Sequence, residues 1–538
     1  MSAKKLLLNG SSLLAERAVF RTSDAASFVA AHPQRAALTV LIAGFGLLSL
    51  LITYRIFFHP LSKLPGPFLA KFSGAWRNAK YFRGQWHDDV LELHKKYGRV
   101  VRVAPNEVSI VDEYAMKNLY GHGHNAQKTS WYNVWNPPGG RTHFFSTTDK
   151  KTHAFLRKRV TGAYSMSSIL KYEQYIQSCL DLLFHRLQEH AGSGQAVDIA
   201  HFTDAFAFDV IGELGHGEEL GHLRTGTDVN GVRKDIFGTF VIASTMGHFP
   251  IFASLARSNF TRALLPELFK ELVIWSNKKI ADRLANHQDV KRDDMLGHFC
   301  RMKTIDGKPV PADDILIEAV NLVGAGADTT AIGMKACLYY LAKSPEYYRL
   351  VQDEVDAFHK KQQTPDAITY AQTQQLPILQ AVIKEATRLM PSIVFQLLRY
   401  APENFVVRDY AIPAGTPVGI SPIAQNRDRE IWGEDADEFR PARWLEDEEK
   451  RKYFESVNMT FGGNGPRTCI GKNIALVEIH KFIAQFIYNF DFALADPNDI
   501  WKITTYWFMY QYDFKMKISL RKNRAPRTPE GIDDDAKH

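Results

Sequence analysis

Phe461–Gly471 reads FGGNGPRTCIG and leads into an apolar segment with helical spacing. Cys469 thus lies in a glycine-rich loop, where the backbone can approach a flat ligand closely. The helix N-terminus that follows favours a thiolate, and Arg467 can reach a carboxylate. A lone cysteine is usually a small buried apolar residue. That interpretation does not fit Cys469, because four glycines and an arginine surround it. It does fit the other cysteines, Cys179, Cys300 and Cys337.

The composition is that of a globular protein, with 45% apolar and 23% charged residues among 538. It excludes a disordered chain, and four cysteines exclude a disulfide scaffold at this length. Lys and Arg outnumber Asp and Glu by 66 to 59, a net charge of +7. This balance allows contact with an acidic partner or a membrane surface. We expect no nucleic-acid partner, because the basic residues form no clustered stripe.

A stretch near the N-terminus, Ala36–Tyr54, has nineteen residues without a charge. As a helix it spans roughly 28 Å, close to the ~30 Å hydrocarbon core of a bilayer. We expect a single transmembrane helix; the alternatives are a buried core helix and a signal peptide, whose apolar core is shorter and nearer the N-terminus. A slight excess of Lys and Arg after the stretch places the bulk of the chain in the cytosol. Asn9 opens a glycosylation sequon that is usable only if the N-terminus is lumenal.

We expect one large domain behind this anchor. The parts are a pre-anchor segment 1–35, the transmembrane helix 36–54, a proline-rich hinge 55–67, a main domain 68–520 and a polar tail 521–538. Helical spacing predicts helices from a cap at Ser167-Ser168 to Gly192, from Asp313-Asp314 to Lys343 with Pro345 as the stop, and at Ile474–Phe490. Strand patterns predict a hairpin of Val100–Val103 with Val108–Val111, and short strands within Phe405–Ile420 and Phe514–Ile518. The fold class is therefore mainly α with a small β region.

The segment Ala325–Thr330, AGADTT, lies midway along the long predicted helix. Glycine and threonine weaken the hydrogen-bond ladder there and can open a local kink. Such a kink lets the Asp328 carboxylate and the Thr329 hydroxyl face a ligand and relay protons to it. The alternative is a solvated polar pair, which the apolar flank Ile315–Val323 disfavours.

The cysteine loop resembles that of the cytochrome P-450 family, the haem-thiolate monooxygenases, which reads in outline Phe-x-x-Gly-x-Arg-x-Cys-x-Gly. Gly465, Arg467, Cys469 and Gly471 match in register. Phe461 departs, because it lies eight residues before the cysteine instead of seven. Either the loop carries a one-residue insertion, or the ring that shields the sulfur is placed differently. The resemblance covers essentially the whole chain after the anchor, and the sequence is similar to fungal microsomal, pisatin-demethylase-like members.

The resemblance implies roles for three sets of residues. Asp328 and Thr329 would take part in oxygen activation. Glu385, Arg388 and Arg443 would form a buried structural triad, and the fold would be a single large haem-thiolate monooxygenase domain. The haem propionates would be held by a third set, for whose arginines the alternative is a surface charge: His153, Arg157, Arg399 and Arg467.

The resemblance also implies a reaction and its partners. Haem b, with the Cys469 thiolate on its iron, would support insertion of one oxygen atom from O2 into a lipophilic substrate by hydroxylation, epoxidation or dealkylation. Electrons would come from NADPH through a separate membrane-bound flavoprotein reductase, since the chain has no flavin or nicotinamide fingerprint. The implied location is the endoplasmic reticulum membrane, with the catalytic domain on the cytosolic face. A basic docking face for the reductase would comprise Lys158, Arg159, Lys472 and Lys481.

The substrate class stays open. The resemblance places five segments at the pocket, whose aromatic and branched residues favour an apolar ligand: Trp131–Pro138, Phe237–Phe252, Leu316–Val323, Ile393–Gln396 and Trp507-Phe508. We expect fungal secondary-metabolite oxidation, with xenobiotic or fatty-acid oxidation as the alternative. Two alternatives come from other classes: a haem-thiolate isomerase or dehydratase that uses no O2, and a non-catalytic haem-binding or membrane-scaffold protein.

Overall fold

The computed structural model describes residues 31, 33–124, 126–136, 141–249, 269–286, 292–362, 367–498, 501–522 and 524. Asn9 lies outside these residues, as do most of the pre-anchor segment and most of the tail. The helices are α1 Pro33–Thr53, α2 Ala75–Phe82, α3 Trp86–Tyr97, α4 Glu113–Tyr120, α5 Lys150–Thr161, α6 Met166–His190, α7 Ile199–His216, α8 His222–Thr225, α9 Val232–Thr245, α10 Lys270–Ala285, α11 Met295–Cys300, α12 Ala312–Lys343, α13 Pro345–Gln362, α14 Tyr370–Thr373, α15 Pro377–Leu389, α16 Pro422–Asn426, α17 Arg429–Trp432, α18 Glu448–Val457 and α19 Lys472–Asn489.

The strands are short and form small sheets at the edge of the helical body. They are β1 Val100–Ala104, β2 Glu107–Ile110, β3 Val197–Asp198, β4 Arg399–Tyr400, β5 Phe405–Val407, β6 Tyr410–Ile412, β7 Pro417–Ile420, β8 Phe490–Leu494, β9 Lys502–Tyr506, β10 Phe508–Tyr512 and β11 Lys515–Leu520. Their orders are β1-β2-β7-β4, β3-β11-β8, β5-β6 and β9-β10. The expected antiparallel hairpin of β1 with β2 is present, and β7 joins β2 in parallel. The mainly α fold with a small β region is confirmed.

One helix start differs from the sequence prediction for a local reason, and the predicted stop at Pro345 has a second role. α6 begins at Met166 because Ser165, and not Ser167-Ser168, caps it: the Ser165 hydroxyl oxygen accepts from the Ser168 N–H at 3.2 Å. Pro345 does not only end the long helix. It is the first residue of α13, a position where the missing N–H of proline costs nothing.

The N-terminal helix is longer than expected. α1 continues into a π-helical turn, Tyr54–Phe58, so helical structure passes the predicted end at Tyr54. The prolines that follow restrict only the residue just before each of them, and His59, which precedes Pro60, is the first residue with an extended backbone. The run Pro33–Phe58 is long and apolar enough to cross a membrane, and none of it is buried in the protein.

Small residues position α12 at the centre of the domain, between α7 and α19. A Cβ atom at Gly215 of α7 would lie 2.9 Å from the Leu322 side chain of α12. A Cβ atom at Gly333 of α12 would lie 2.8 Å from Ile479 of α19. The close approach of these helices brings the AGADTT segment and the cysteine loop into the same part of the molecule.

One carboxyl group in this core has no partner. Glu478 on α19 is fully buried, and neither of its carboxyl oxygens has a hydrogen-bond partner among the described residues. Burial raises the pKa of Glu478 well above its ordinary value. The folded protein therefore holds a neutral acid that the unfolded chain would ionise.

Replacing Glu478 with glutamine is expected to stabilise the protein, and increasingly so as the pH rises. The pKa of Glu478 is higher in the folded protein than in the unfolded chain. Glu478 is therefore tolerated best below its unfolded pKa, and it destabilises the folded protein increasingly as the pH rises above that value. The difference in unfolding free energy grows by about 1.4 kcal/mol per pH unit until the folded carboxyl ionises. Thermal unfolding of the two solubilised proteins between pH 6 and 8 measures this difference in stability. The matched control is the exposed Glu403→Gln, and an equal pH dependence in both variants would contradict the assignment.

Candidate active site

The cysteine loop closes on itself immediately before α19. The Cys469 N–H donates to the Phe461 carbonyl oxygen at 2.9 Å. Gly462 and Gly463 have φ values of 79° and 80°, a region that only glycine adopts without strain. These two glycines allow the tight turn between Phe461 and the cysteine.

The Cys469 thiol faces an internal cleft. The residue is exposed by surface area, and yet desolvation raises the pKa of its thiol, so protein surrounds the exposed face. The backbone N–H groups of Gly471 and Lys472 and the charge of Arg157 act in the opposite direction and favour the thiolate. Of the other cysteines, Cys179 and Cys337 are buried as expected, and Cys300 is half-buried against the core.

Five basic side chains converge near this loop: Lys128, His153, Arg157, Arg399 and Arg467. Burial, followed by the charges of Arg399, Arg467 and Arg157, lowers the pKa of Lys128 well below its ordinary value. Burial and then the charges of the other four lower the pKa of His153 to about 3. Burial and then Arg399 lower the pKa of Arg467 to about 10. The sequence prediction named four of these residues, and the structure brings all four together.

Three members of this cationic cluster donate hydrogen bonds to neutral groups. Lys128 donates to the Phe144 carbonyl oxygen at 3.3 Å, Arg157 to the Thr468 carbonyl oxygen at 2.6 Å and Arg399 to the Tyr132 hydroxyl at 3.0 Å. Within the described part of the chain, none of these three cations forms an ion pair. Buried charges of one sign are stable only when an opposite charge joins them. The cluster therefore fits a ligand with carboxylate groups, such as the two propionates of haem.

Lys128 is the member of the cationic cluster that sequence reasoning missed. Lys128 lies in a loop of polar and aromatic residues that forms no recognisable motif. A backbone β-bridge to Arg399 places it beside the other members of the cluster. Its ammonium group also lies 4.8 Å from the centre of the Tyr132 ring. No local signal in the sequence could have placed it there, because Arg399 is far away along the chain.

Asp328 and Thr329 lie side by side on α12 in different surroundings. Asp328 is buried, and burial followed by the charge of Asp204 raises its pKa to about 7. The Tyr510 hydroxyl of β10 donates to an Asp328 carboxylate oxygen at 3.2 Å. The Thr329 hydroxyl donates to the Ala325 carbonyl oxygen at 2.9 Å. Ala325 is exposed in the middle of this core helix, so the Ala325–Thr329 face of α12 borders a cleft.

Glu385, Arg388 and Arg443 form the buried triad that the sequence predicts. A Glu385 carboxylate oxygen lies 2.8 Å from Arg388 and 2.9 Å from Arg443, and the Trp444 indole N–H donates to the other oxygen at 2.9 Å. All three charged side chains are fully buried. Burial alone would raise the pKa of Glu385, but the two guanidinium groups outweigh burial and hold the pKa below its ordinary value.

The predicted basic docking face is wrong in part. Lys481 is buried and forms an ion pair with Glu173 of α6 at 2.6 Å. Arg159 pairs with Asp314 at 2.9 Å and has little exposed surface. α19 is buried on almost every side, so Lys481 turns into the protein and finds its partner there. The two remaining basic residues of the prediction are Lys158, which is exposed, and Lys472, which is half-buried.

Four of the five segments expected at the pocket meet in the structure. Trp131 and Trp507 have ring centres 5.1 Å apart, and Trp135 lies 5.2 Å from Phe240. A backbone bridge joins Ile393 to Phe508. The fifth segment lies in part in the core, because its Leu322 packs on α7. Residues 137, 138 and 250–252 of the expected segments lie outside the described residues.

Comparison with known proteins supports the family resemblance of the cysteine loop. The family model "Cytochrome P450" matches residues 64–517. The chain belongs to the cytochrome P450 family. This P450 is 34% identical to cytochrome P450 monooxygenase cicH of Emericella nidulans, over 86% of this chain and 94% of the relative. It is 32% identical to cytochrome P450 monooxygenase gsfF of Penicillium aethiopicum, over 89% and 98%. It is 31% identical to a pisatin demethylase of Fusarium vanettenii, over 87% and 90%.

The P450 family model and the similar monooxygenases confirm several of the sequence predictions. This P450 is an oxidoreductase of the monooxygenase class, and the family binds haem through a cysteine thiolate. Members of the family use O2, a substrate and a redox partner. The apolar helix Pro33–Phe58 fits a membrane anchor of this P450.

Proposed function

We propose that Cys469 would bind the iron of haem b through its thiolate in this P450 and that the enzyme inserts one oxygen atom from O2 into a lipophilic secondary metabolite. The observation that carries the proposal is the position of a thiol in an internal cleft beside three basic residues, Lys128, Arg157 and Arg399, that donate to neutral groups and form no ion pair within the described part of the chain. When bound, the haem supplies the activation of O2 at its iron. Relatives from fungi, one of them named for the demethylation of pisatin, support a secondary metabolite as substrate.

The cationic cluster would hold the haem propionates. Arg157, Arg399 and Arg467 would donate charge-assisted hydrogen bonds to the carboxylates. Burial and the neighbouring cations lower the pKa of His153 to about 3, and its ring N–H would donate to a carboxylate. The buried charges of the cluster would then be balanced by the propionates, which makes the cofactor part of the folded core.

Asp328 and Thr329 would deliver protons at the distal face of the site. With a pKa of about 7, Asp328 can hold or release a proton near neutral pH. The Thr329 hydroxyl, on the face of α12 that borders the cleft, is one residue away. Tyr510 acts as a positioning residue, because its hydroxyl donates to the Asp328 carboxylate.

The electron donor and the membrane location are part of the same proposal. Electrons would come from NADPH through a separate flavoprotein reductase that approaches Lys158 and Lys472. Residues 36–54 would lie within the span that crosses the endoplasmic reticulum membrane once, with the hinge 55–67 and the catalytic domain 68–520 in the cytosol. The anchor run Pro33–Phe58 and the slight excess of Lys and Arg close after the predicted span support this arrangement.

Isotope labelling tests the proposed reaction. The full-length protein would be incubated with reductase, NADPH, a panel of fungal metabolites and ¹⁸O2. We expect a product that carries one ¹⁸O atom, with NADPH consumed in proportion. A product formed without O2, as in an isomerase or dehydratase, would contradict the proposal. If the reaction is a dealkylation, the ¹⁸O atom is measured in the carbonyl compound that is released.

A further inference from the structure

A group of three charged side chains lies against the helix that carries Asp328. The Lys335 ammonium group of α12 lies 2.7 Å from one carboxylate oxygen of Asp204 on α7, and the Arg233 guanidinium group of α9 lies 2.9 Å from the other oxygen. The Lys335 side chain is only 2% exposed, whereas those of Asp204 and Arg233 are 17% and 22% exposed. Asp204, Lys335 and Arg233 are called the ionic junction below.

The ionic junction follows from the way in which α7 packs on α12. A Cβ atom at Gly215 of α7 would lie 2.9 Å from Leu322, and a Cβ atom at Gly326 of α12 would lie 2.8 Å from Ile211. Residue numbers rise along α12 as they fall along α7, so the two helices run antiparallel. About two turns further on, the same register brings the acid and the lysine of the ionic junction opposite one another.

Asp328 and Lys335 share one face of α12. They are seven residues apart in the sequence, which is about two helical turns and roughly 10 Å along the axis. β10 crosses this face, because the Tyr510 hydroxyl donates to the Asp328 carboxylate at 3.2 Å and Lys335 donates to the Gln511 carbonyl oxygen at 3.4 Å. The ionic junction and the acid of the proposed proton delivery are therefore parts of one polar network inside the core.

The charges of the ionic junction act on Asp328 in opposite directions. Burial raises the pKa of Asp328 most, and the negative charge of Asp204 raises it further. Lys335, Arg233 and the Tyr510 hydroxyl of β10 lower the pKa. Because two cations hold the Asp204 carboxylate, its charge acts on Asp328 from a fixed position.

We propose that Asp204 is a positioning residue for proton delivery, which keeps Asp328 in its acid form at neutral pH through the ionic junction. Once Asp328 has released its proton to the cleft, it is an anion that the Asp204 anion repels, and this repulsion favours uptake of a new proton from solvent. Lys335 and Arg233 balance the charge of Asp204 and fix its position. The inference rests on the proposed function, because it takes Asp328 as the proton donor.

Infrared titration of Asp328 tests the inference without turnover. The haem-loaded full-length protein in detergent is titrated from pH 5 to 9, and the carbonyl stretch of the protonated carboxyl group is followed. The spectrum of Asp328→Asn is subtracted, because other buried acids such as Glu478 contribute to the same band. In wild type we expect the Asp328 band to disappear with a midpoint near pH 7.

Two variants should move this midpoint in opposite directions. Asp204→Asn removes the negative charge and leaves two cations, so the midpoint should fall by about one pH unit. Lys335→Met removes a cation and leaves the Asp204 carboxylate, so the midpoint should rise. Arg224→Gln is the control and should leave the midpoint unchanged, because the ion pair of Arg224 with Glu219 at 2.7 Å lies outside the ionic junction.

The opposite signs separate this role from a structural one. A general loss of packing would expose Asp328 to solvent in both variants and would lower both midpoints. Unchanged midpoints, or shifts in the same direction, would overturn the inference. If Asp204→Asn does not fold, Lys335→Met decides alone, because a midpoint that stays or falls in this variant contradicts the proposal. The pH at which turnover falls should move with the infrared midpoint in each folded variant.

Failure of the inference can be told from failure of the proposed function. The infrared midpoint is a property of the resting protein, so its shifts remain even if the protein proves not to use O2. A product that carries ¹⁸O, together with a midpoint that neither variant moves, overturns the inference alone.

Discussion

Replacing Glu385 with alanine is expected to destabilise the protein by about 3–5 kcal/mol. Arg388 and Arg443 are fully buried, and the substitution leaves both charges without their carboxylate. The Trp444 indole N–H loses its acceptor as well. Since a domain is stable by only about 5–15 kcal/mol, much of the variant should fail to accumulate as folded, haem-loaded protein. The melting temperature and the yield of soluble protein measure the loss.

An exposed ion pair provides the matched control for this triad. Glu455 lies 2.5 Å from Lys384, with side chains 46% and 37% exposed. Glu455→Ala should cost about 0–1 kcal/mol. Comparable melting temperatures for the Glu385 and Glu455 variants would contradict the structural role of the triad. Because the folded pKa of Glu385 is lowered, its contribution is present above its unfolded pKa and is lost as the pH falls through the folded pKa.

Asp328→Asn should lower turnover by about 10²–10⁴-fold without changing haem binding. The amide cannot release the proton that the carboxylic acid holds at a pKa of about 7. Because a proton donor acts in its protonated form, wild-type turnover should fall as the pH rises through about 7. The variant should lack that pH dependence. Initial rates with saturating reductase, measured from pH 6 to 9, give both the turnover rate and its pH dependence.

Tyr510→Phe separates positioning from folding in the same measurement. The Tyr510 hydroxyl stabilises the ionised form of Asp328, so its removal should raise the pKa of Asp328. The pH profile should then move to higher pH while the haem spectrum stays that of the wild type. If the Asp328 variant keeps the wild-type rate and profile, the proton-delivery role is wrong.

Local motifs allowed much of the site to be predicted from the sequence. The cysteine loop, the AGADTT segment and the Glu385–Arg388 spacing each lie within a few residues, and the helix or turn alone fixes their geometry. Arg443 required the additional segment Phe439–Trp444, whose 3₁₀ turn holds it beside α15. These elements were predictable because short-range backbone geometry determines which side chains face one another.

Long-range packing explains what the sequence could not predict. Lys128 reaches the cationic cluster through a bridge to Arg399, and Tyr510 reaches Asp328 through the β9–β10 hairpin. No local sequence pattern indicates either of these two contacts. Lys481 was misplaced on the surface because α19 is buried on nearly all sides, polar residues included, so its sequence pattern does not distinguish an outer face.

The absorption spectrum of the reduced, CO-bound protein tests the central claim most directly. Wild type and Cys469→Ser would be compared, with Cys300→Ser as the control because Cys300 is a half-buried thiol outside the loop. We predict the haem-thiolate band in wild type and in the Cys300 variant, and its loss in Cys469→Ser. The same spectrum in wild type and Cys469→Ser would contradict the assignment of Cys469 as the haem ligand.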